Sequence, residues 1–485
     1  MLFRKQKENE TEYEPAEEAE EITVSREHGS SCIVISIVME LLLGLLTFIK
    51  ISVDSIPFLT ALVPLLLITA LLGTYLYNHD ADMKMFMSFS VLTALGMALQ
   101  VLIDHVYHPL TTFSPLKTGI ALAVAVVFVL LYKLFRMILN RSFTVYLMIA
   151  ASIGLYICLY LYGIDPNGYG TNAWIQVGSY TLQLTDFSKV IAIMFYSALF
   201  SSKTSRKDGE ILLLSNIFFL VNLAGSVLIH ELGSFFVLYF LHVSILFIFM
   251  GKGKAKTVYL TLLVAGTAAA FAGAFGLYHL LAPQAEAGTL NSITAVLWPI
   301  VNKIHTRFSL TANLNNDPYG AGYQLLQGKK ALWMAGLFGN TVNFSALPVP
   351  ESDMAFISLV SSFGFVFGFL AVILFLIIMI SGAELSRRLA ENDLQDSVVS
   401  FGAASLLFLQ AMLVILGSCN VIPFAGLPIP FLSRGGTYQM IAFCFAGLLL
   451  RMSENNGTGY LKEGDLLEQH EPEQPEVVPE PDQTV

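Results

Sequence analysis

Long apolar runs are the feature of this sequence that most restricts how the chain can fold. Twelve runs occur in the 485 residues, each close to the length of about 20 residues that a helix needs to cross a bilayer. Only 13% of the residues are charged, whereas soluble domains usually have about 25%. Because a helix satisfies its own backbone hydrogen bonds in lipid, the sequence predicts an all-α polytopic membrane protein with about 12 transmembrane helices. The predicted spans are residues 31–52, 56–77, 84–104, 118–138, 142–163, 186–202, 210–229, 232–250, 257–282, 354–382, 398–418 and 435–452.

Basic residues mark one side of the predicted membrane. They cluster in every second connection between spans, which is the pattern of the positive-inside rule. This pattern predicts that both termini are cytoplasmic and that segment 283–353 and loop 419–434 lie outside. Segment 283–353 is too long for a simple connection, and long ordered loops are often functional. The basic residues that fix this orientation are Lys84, Lys133, Arg136, Arg141, Lys203, Arg206, Lys207, Lys252, Lys254, Lys256, Arg387 and Arg388.

The net charge of −10 belongs to the two ends of the chain. Residues 1–30 and 453–485 are rich in Glu, and together they hold half of the 36 acidic residues. Such segments bury little apolar surface, so they are predicted to be disordered cytoplasmic tails. The chain has no phosphate-binding, dinucleotide-binding, zinc-protease or nucleophile-elbow motif in a suitable context, and nothing in it indicates nucleic-acid binding.

Two outward-facing stretches carry unusual charges. In "GTNAWIQVGSYTLQLTDFSKV" (170–190), Asp186 and Lys189 are three residues apart and share one helix face, so they can pair. In "HELGSFF" (230–236), Glu231 stands at the start of a span. These residues are candidates for substrate binding. A structural role is an equally open alternative. In that case the two carboxylates stabilise helix starts, and Lys189 extends its side chain to the membrane interface.

The predicted outer segment ends in a third polar stretch. It runs from "RFSLTANLNNDPYGAGYQLLQGKKALWMAGLFGN" (307–340) through "LPVPESDMAFISLVSSFGFVFG" (347–368). Asp353 stands where the tenth span begins, so it is either a helix cap or a functional carboxylate at the membrane face.

A fourth stretch, "NVIPFAGLPIPFLSRGGTYQM" (420–440), breaks what would otherwise be a plain connection. Its prolines fix φ and its glycines allow close backbone approach, which predicts a rigid, cavity-lining segment. Arg434 and the neighbouring glycine N–H groups could meet an anion such as a pyrophosphate. The alternative is a helix start with an interfacial arginine.

Taken in this order, the stretches resemble the SEDS family, the FtsW, RodA and SpoVE proteins of bacterial shape, elongation, division and sporulation. "GLPIPFLSRGGT" resembles the family's most specific motif, and "GYQLLQGKKALWMAGLFG", "LPVPESDMAFI", "AWIQVGSYTLQLTDFSK" and "HELGS" resemble four others. The likeness covers residues 165–452 as a transmembrane core that includes the extracellular loop 283–353. Since the family has a core of ten spans, residues 31–164 are predicted to be divergent N-terminal helices with two additional spans.

The resemblance implies a peptidoglycan glycosyltransferase in the bacterial cytoplasmic membrane. Such an enzyme polymerises lipid II, an undecaprenyl-pyrophosphate-linked precursor, at the outer face. The family's essential aspartate falls on Asp353, which could act as general base. A divalent cation, Mg²⁺ or Mn²⁺, is the only cofactor considered, as an alternative to lysine and arginine side chains around the pyrophosphate. The residues expected to bind substrate are Lys189, Asp186, Glu231, Gln324, Lys330, Ser433, Arg434, Gly435 and Gly436.

The resemblance also implies partners, and two other functions remain open. The expected partners are a class B penicillin-binding protein, proteins of the division or elongation complex, and membrane lipids. A lipid II flippase would use intramembrane charges as a path, but here the polar residues cluster at the outer ends of spans, with Glu40 as the main acidic exception. A catalytically silent scaffold for a transpeptidase is the third possibility. The motifs do not distinguish division, elongation and sporulation.

Overall fold

The chain forms a bundle of α-helices. The computed structural model describes residues 15–455 apart from 52–55, 108–113, 167, 169, 179, 202–205, 252, 341–346 and 435, so residues 1–14 of the first predicted tail and 456–485 of the second lie outside it. The helices are α1 Pro15–Ile51, α2 Ile56–Asn78, α3 Met83–Tyr107, α4 Ser114–Leu139, α5 Thr144–Tyr162, α6 Thr185–Leu199, α7 Asp208–Leu228, α8 Gly233–Phe249, α9 Lys254–Glu286, α10 Ser292–Ala312, α11 Tyr323–Ala335, α12 Ala355–Phe363, α13 Phe365–Asn392, α14 Leu394–Ser418 and α15 Thr437–Ser453.

Eleven of the twelve predicted spans each coincide with one helix of the described chain. Eight helices are long and apolar enough to cross a membrane, and two shorter apolar helical segments are Leu62–Asn78 and Gly233–Phe249. The all-α membrane fold is therefore confirmed, whereas the described residues provide eight candidate spans where about twelve were predicted. Helix α1 begins earlier than predicted, at Pro15, because proline at a first helical position and the Glu- and Ala-rich residues after it favour a helix.

The tenth predicted span is two helices. Helix α12 ends at Phe363 and α13 begins at Phe365, with Gly364 between them at φ 94°. A Cβ on Gly364 would lie 2.1 Å from the carbonyl oxygen of Leu337, so only glycine fits where these two chain segments touch. The single span expected for residues 354–382 was wrong for this reason.

The predicted outer segment 283–353 is mostly helical. Helix α9 runs on to Glu286, and α10 then begins with a capping box, in which the Asn291 side chain accepts from the backbone N–H groups of Ile293 and Thr294. A short 3₁₀ helix, Leu314–Asn316, joins α10 to α11. The segment therefore provides two ordered helices.

A small hairpin precedes α6. Strands β1 (Trp174–Val177) and β2 (Tyr180–Gln183) are antiparallel, and Trp174 pairs with Gln183. The backbone N–H of Gln183 donates to the Thr437 hydroxyl at 3.1 Å, which ties the hairpin to the start of α15.

The core of the bundle lies around α3 and α14. Both are largely buried, and α14 packs along α13 and also against α6, α8 and α15. Helix α9 is the opposite case, because no residue of its most apolar stretch is buried and it packs mainly on α10. The buried helices thus form a scaffold on one side, with the α9–α10 pair beside it.

Candidate active site

A cavity of about 1130 Å³ opens where the predicted polar stretches meet. Its walls come from α3, the hairpin, the α7–α8 turn, α10, α11 and the segments 348–353 and 424–440. Most of the predicted site residues therefore share one space. The predicted residues that line it are Asp186, Glu231, Gln324, Asp353, Ser433, Arg434 and Gly436.

Asp353 lies in the turn before α12 and faces this cavity. The Ser352 hydroxyl donates to its Oδ1 at 2.9 Å. Burial, with a smaller contribution from Glu351, raises the pKa of the Asp353 carboxyl, while the Ser352 hydrogen bond and Arg307 oppose the rise. Asp353 is thus a carboxylate with a raised proton affinity and one oxygen, Oδ2, without a hydrogen-bond donor among the described residues.

Arg307 is the cation that faces Asp353, and sequence reasoning did not single it out. It lines the cavity from α10, partly buried, and has no salt bridge or hydrogen bond within the described part of the chain. Burial lowers its pKa, whereas Glu231 and Asp353 raise it. A guanidinium without a partner in a recessed cavity is ready to bind an anion.

Lys303 lies one turn before Arg307 and was also missed. Its Nζ donates to the His230 carbonyl oxygen at 3.0 Å. Burial and the neighbouring Arg307 lower the pKa of Lys303 to about 8, although Glu231 and Asp165 act in the opposite sense. The sequence signal was the i, i+4 spacing of two cations in a segment that was read as a loop.

Asp186 and Lys189 form the pair that their spacing predicts. The Lys189 Nζ donates to Asp186 Oδ1 at 2.8 Å, and both side chains are at most 1% exposed. Lys189 also lies over the Tyr438 ring, with its Nζ 4.5 Å from the centroid. Asp186 reaches the cavity wall, but Lys189 does not. The structure therefore places Lys189 behind the site, as the counter-charge of Asp186.

Glu231 has a local role as well as a place in the cavity. Its two carboxylate oxygens accept from the Ser234 backbone N–H at 3.1 and 3.3 Å, which satisfies a free donor at the start of α8. The helix-start alternative is thus confirmed as one role. The same side chain remains on the cavity wall, 7% exposed.

Helix α11 contributes one of its two predicted residues. Gln324 lines the cavity, and its Nε2 is buried without a hydrogen-bond partner among the described residues. Lys330 and its neighbour Lys329 are exposed nearly two turns further along α11 and do not line the cavity. Lys330 is thus not part of this cavity wall, and its role in substrate binding stays a prediction.

The segment around Ser433 is rigidly held. The Ser433 hydroxyl donates to the Ser352 carbonyl oxygen at 2.8 Å, and the Arg434 backbone N–H donates to the Glu351 carbonyl oxygen at 2.6 Å. These two bonds join the segment to the turn that holds Asp353. Gln100 on α3 reinforces the junction, since its Nε2 donates to the carbonyl oxygens of Glu351 and Leu432.

Arg434 is neutralised within the protein. Its guanidinium pairs with Asp104 near the end of α3, and both side chains are mostly buried. This ion pair makes Arg434 less available to an anion than Arg307. Gly435 lies outside the described residues, while Gly436 lies on the cavity wall.

The carboxylates of the cavity do not form a ready metal site. Within the described ranges, no three His, Cys, Asp or Glu side chains lie together as ligands for a metal ion. Asp186, Glu231 and Asp353 are instead engaged with Lys189, Ser234 and Ser352, respectively. The described residues therefore offer no preformed three-ligand metal site, and the divalent cation stays a prediction.

Comparison with known proteins identifies relatives of most of the chain. The FtsW/RodA/SpoVE family model, described as "Cell cycle protein", matches residues 82–458. "Stage V sporulation protein E" of Bacillus subtilis (strain 168) is 28% identical over 304 residues, which cover 60% of this chain and 74% of that protein. "Probable peptidoglycan glycosyltransferase FtsW" of Geobacter sp. (strain M18) is 26% identical over 311 residues, 62% of this chain and 76% of the relative.

A solved structure shares the fold. One chain of a structure described as "Structural coordination of polymerization and crosslinking by a peptidoglycan synthase complex" superposes with a TM-score of 0.56 at 18% identity, covering 78% of this chain and 99% of that one. The family match begins at residue 82, so it includes α3 to α5 and extends well before the motifs that suggested it. Helices α1 and α2 precede the match. The chain belongs to the FtsW/RodA/SpoVE (SEDS) family and is a multi-pass membrane protein.

Proposed function

We propose that this chain is a peptidoglycan glycosyltransferase that polymerises lipid II. The observation that carries the proposal is the cavity in which a carboxylate of raised pKa, Asp353, faces Arg307, a cation without an ion-pair partner among the described residues. Glycosyl transfer from a diphosphate donor needs a base that accepts the proton of the attacking hydroxyl and a cation that stabilises the leaving diphosphate. The relatives named peptidoglycan glycosyltransferases support the same reaction.

The proposed chemistry divides between these two residues. The 4-hydroxyl of the acceptor sugar attacks the anomeric carbon of the donor, and its proton passes to Asp353. The bond between that carbon and the pyrophosphate oxygen breaks, and the electron pair leaves with the lipid pyrophosphate. Arg307 stabilises the charge that develops on the leaving group. In this scheme a cation of the chain itself, Arg307, faces the leaving group.

The cavity suits a lipid-linked sugar. Its polar wall carries Asp353, Arg307 and Gln324, whereas Met97, Ile120 and Phe443 provide apolar surface from α3, α4 and α15. In the proposed complex the sugars lie along the polar wall, and the polyprenyl chain follows the apolar side toward the lipid. A volume of about 1130 Å³ is large for a small-molecule pocket, as two lipid-linked sugars require.

The charge asymmetry of the connections supports a topology with the cavity at the outer face of the bacterial cytoplasmic membrane and both termini in the cytoplasm. We place the enzyme with a class B penicillin-binding protein that cross-links its product, in division, elongation or sporulation. The similar solved structure comes from a complex described as coordinating polymerization and crosslinking, which supports this partnership.

The test is polymerisation of labelled lipid II by the purified protein in vesicles, with and without its cognate transpeptidase. Asp353→Asn should lower the rate by about 10²–10⁴-fold, because it removes the general base. Arg307→Gln should lower it by about 10²–10³-fold through the loss of leaving-group stabilisation. Glu286→Gln, at the exposed end of α9, is the matched control and should retain the rate.

The other two functions predict different results in the same vesicles. A flippase would carry lipid II across the sealed membrane without making glycan strands. A silent scaffold would do neither, even with the transpeptidase present. Full polymerisation by Asp353→Asn would reject Asp353 as the base.

A further inference from the structure

Helix α10 presents two cations to the cavity one turn apart. Lys303 and Arg307 both line it, and neither forms a salt bridge with any residue that the structure describes. Like charges at i and i+4 repel each other, and partial burial increases the cost of both. Such an arrangement is stable when a bound anion neutralises it.

The groups around Lys303 leave most of its ammonium free. One N–H bonds to the His230 carbonyl oxygen at 3.0 Å, which fixes the side chain against the α7–α8 turn. The charged groups that act on it are Arg307 on the same helix, Glu231 in that turn and Asp165 after α5, and the His230 ring lies beside it. No other acceptor among the described residues bonds to this ammonium, so two of its donors remain for a ligand in the cavity.

A ligand with two anionic centres matches this pair. The side chains lie one helical turn apart, about 5–6 Å between Cβ atoms, which is compatible with contacts to two adjacent phosphates. A monophosphate can satisfy one cation fully, whereas a diphosphate can satisfy both. The carboxylates Glu231 and Asp353 line the same cavity and repel anions. The cavity therefore does not attract every anion, and it favours an anion that contacts Lys303 and Arg307 directly.

We propose that Lys303 is a diphosphate-binding residue that, together with Arg307, makes the cavity select a prenyl diphosphate over a prenyl monophosphate. The inference rests on the proposed function for the identity of the anion, and it adds the residue that sets specificity. It also implies a pH dependence: Lys303 loses its charge as the pH rises past about 8, so diphosphate affinity should fall there.

The test measures direct binding of farnesyl diphosphate and farnesyl monophosphate to the full-length protein in nanodiscs, between about pH 7.5 and pH 9.5. In that range both phosphate ligands are nearly fully ionised, so titration of the ligand contributes little. The wild-type protein should prefer the diphosphate, and its affinity should fall as the pH rises. Lys303→Gln should bind the diphosphate about tenfold more weakly at pH 7.5 and should lose the pH dependence.

Lys303→Arg separates a binding role from a structural one. Arginine remains charged across this range, so the variant should keep the diphosphate affinity and abolish its decline with pH. Lys254→Gln, at the exposed start of α9, removes the same charge far from α10 and should behave as wild type. Unchanged selectivity in Lys303→Gln, or a persisting pH decline in Lys303→Arg, would overturn the proposal.

Binding and polymerisation fail independently in these experiments. A protein that binds the diphosphate in this pH-dependent way but makes no glycan would retain the Lys303 site and lose the proposed transferase function. If the wild-type protein polymerises lipid II and Lys303→Gln binds farnesyl diphosphate as tightly as wild type, the transferase function stands and the Lys303 site is rejected.

Discussion

The Lys189 ammonium lies 2.8 Å from the Asp186 carboxylate, and both side chains are excluded from solvent. We predict that Lys189→Met destabilises the protein by about 3–5 kcal/mol, because it leaves Asp186 buried without its counter-charge. The double variant Asp186→Asn/Lys189→Met should recover much of this loss. Thermal unfolding of the purified variants measures both effects.

The exposed pair Arg388–Glu384 on α13 is the control for this prediction. Its charged atoms are 3.9 Å apart, and Glu384→Gln, at the more exposed end of the pair, should cost less than about 1 kcal/mol. If Lys189→Met kept its thermal stability and lost polymerisation, Lys189 would be a substrate ligand, as the sequence alone suggested.

Gly96 on α3 touches the backbone of the segment that holds Ser433. A Cβ at this position would lie 1.9 Å from the Phe431 carbonyl oxygen, so Gly96→Ala must push the segment away from α3. We expect a loss of about 1–3 kcal/mol in stability, typical of overpacking, and a lower polymerisation rate since the segment is bonded to the turn of Asp353. Gly266→Ala in α9, where a Cβ meets no atom within 4 Å, should be neutral or slightly stabilising.

Asp353 should set the acidic limb of the pH–rate profile. The carboxylate accepts a proton only when ionised, so kcat/KM should rise with pH through the raised pKa of Asp353. Arg307 lowers that pKa, so Arg307→Gln should move the acidic limb to higher pH, whereas Arg307→Lys should move it less. The pH dependence of kcat/KM in the wild type, Arg307→Gln and Arg307→Lys measures the shift of the acidic limb. An acidic limb that stays in place in Arg307→Gln would show that another group titrates there.

The helices could be predicted because lipid imposes a simple rule on the sequence. A span must be apolar over about 20 residues, and eleven of the twelve runs each coincide with one helix of the described chain. Tertiary contacts obey no such rule. The break at Gly364 depends on the approach of Leu337, and the pairing of Arg434 with Asp104 joins residues more than 300 positions apart. Neither can be inferred from local composition.

The candidate site was predictable where its residues belong to motifs. Asp353, Asp186, Glu231 and Gln324 were assigned from such stretches, and all four line one cavity. Lys303 and Arg307 were missed because segment 283–353 was taken as an outer loop, in which the i, i+4 spacing has no meaning. Once α10 is known to be a helix, the same spacing puts both cations on one face.

Glu40 joins the two helices that precede the family match to the rest of the protein. It is 1% exposed on α1, and its Oε1 accepts from the hydroxyls of Thr69 on α2 and Ser90 on α3 at 2.6 and 2.8 Å. Glu40→Ala removes both bonds and should lower stability by about 1–2 kcal/mol, whereas Glu40→Gln keeps an acceptor and should cost less. Ser36→Ala is the matched control, because among the described residues that buried hydroxyl bonds only to the Cys32 carbonyl oxygen of its own helix. Thermal unfolding should therefore show a lower stability for Glu40→Ala than for Glu40→Gln and Ser36→Ala. Equal losses of stability in Glu40→Ala and Ser36→Ala would mean that the hydrogen bonds between helices do not hold α1 and α2 in place.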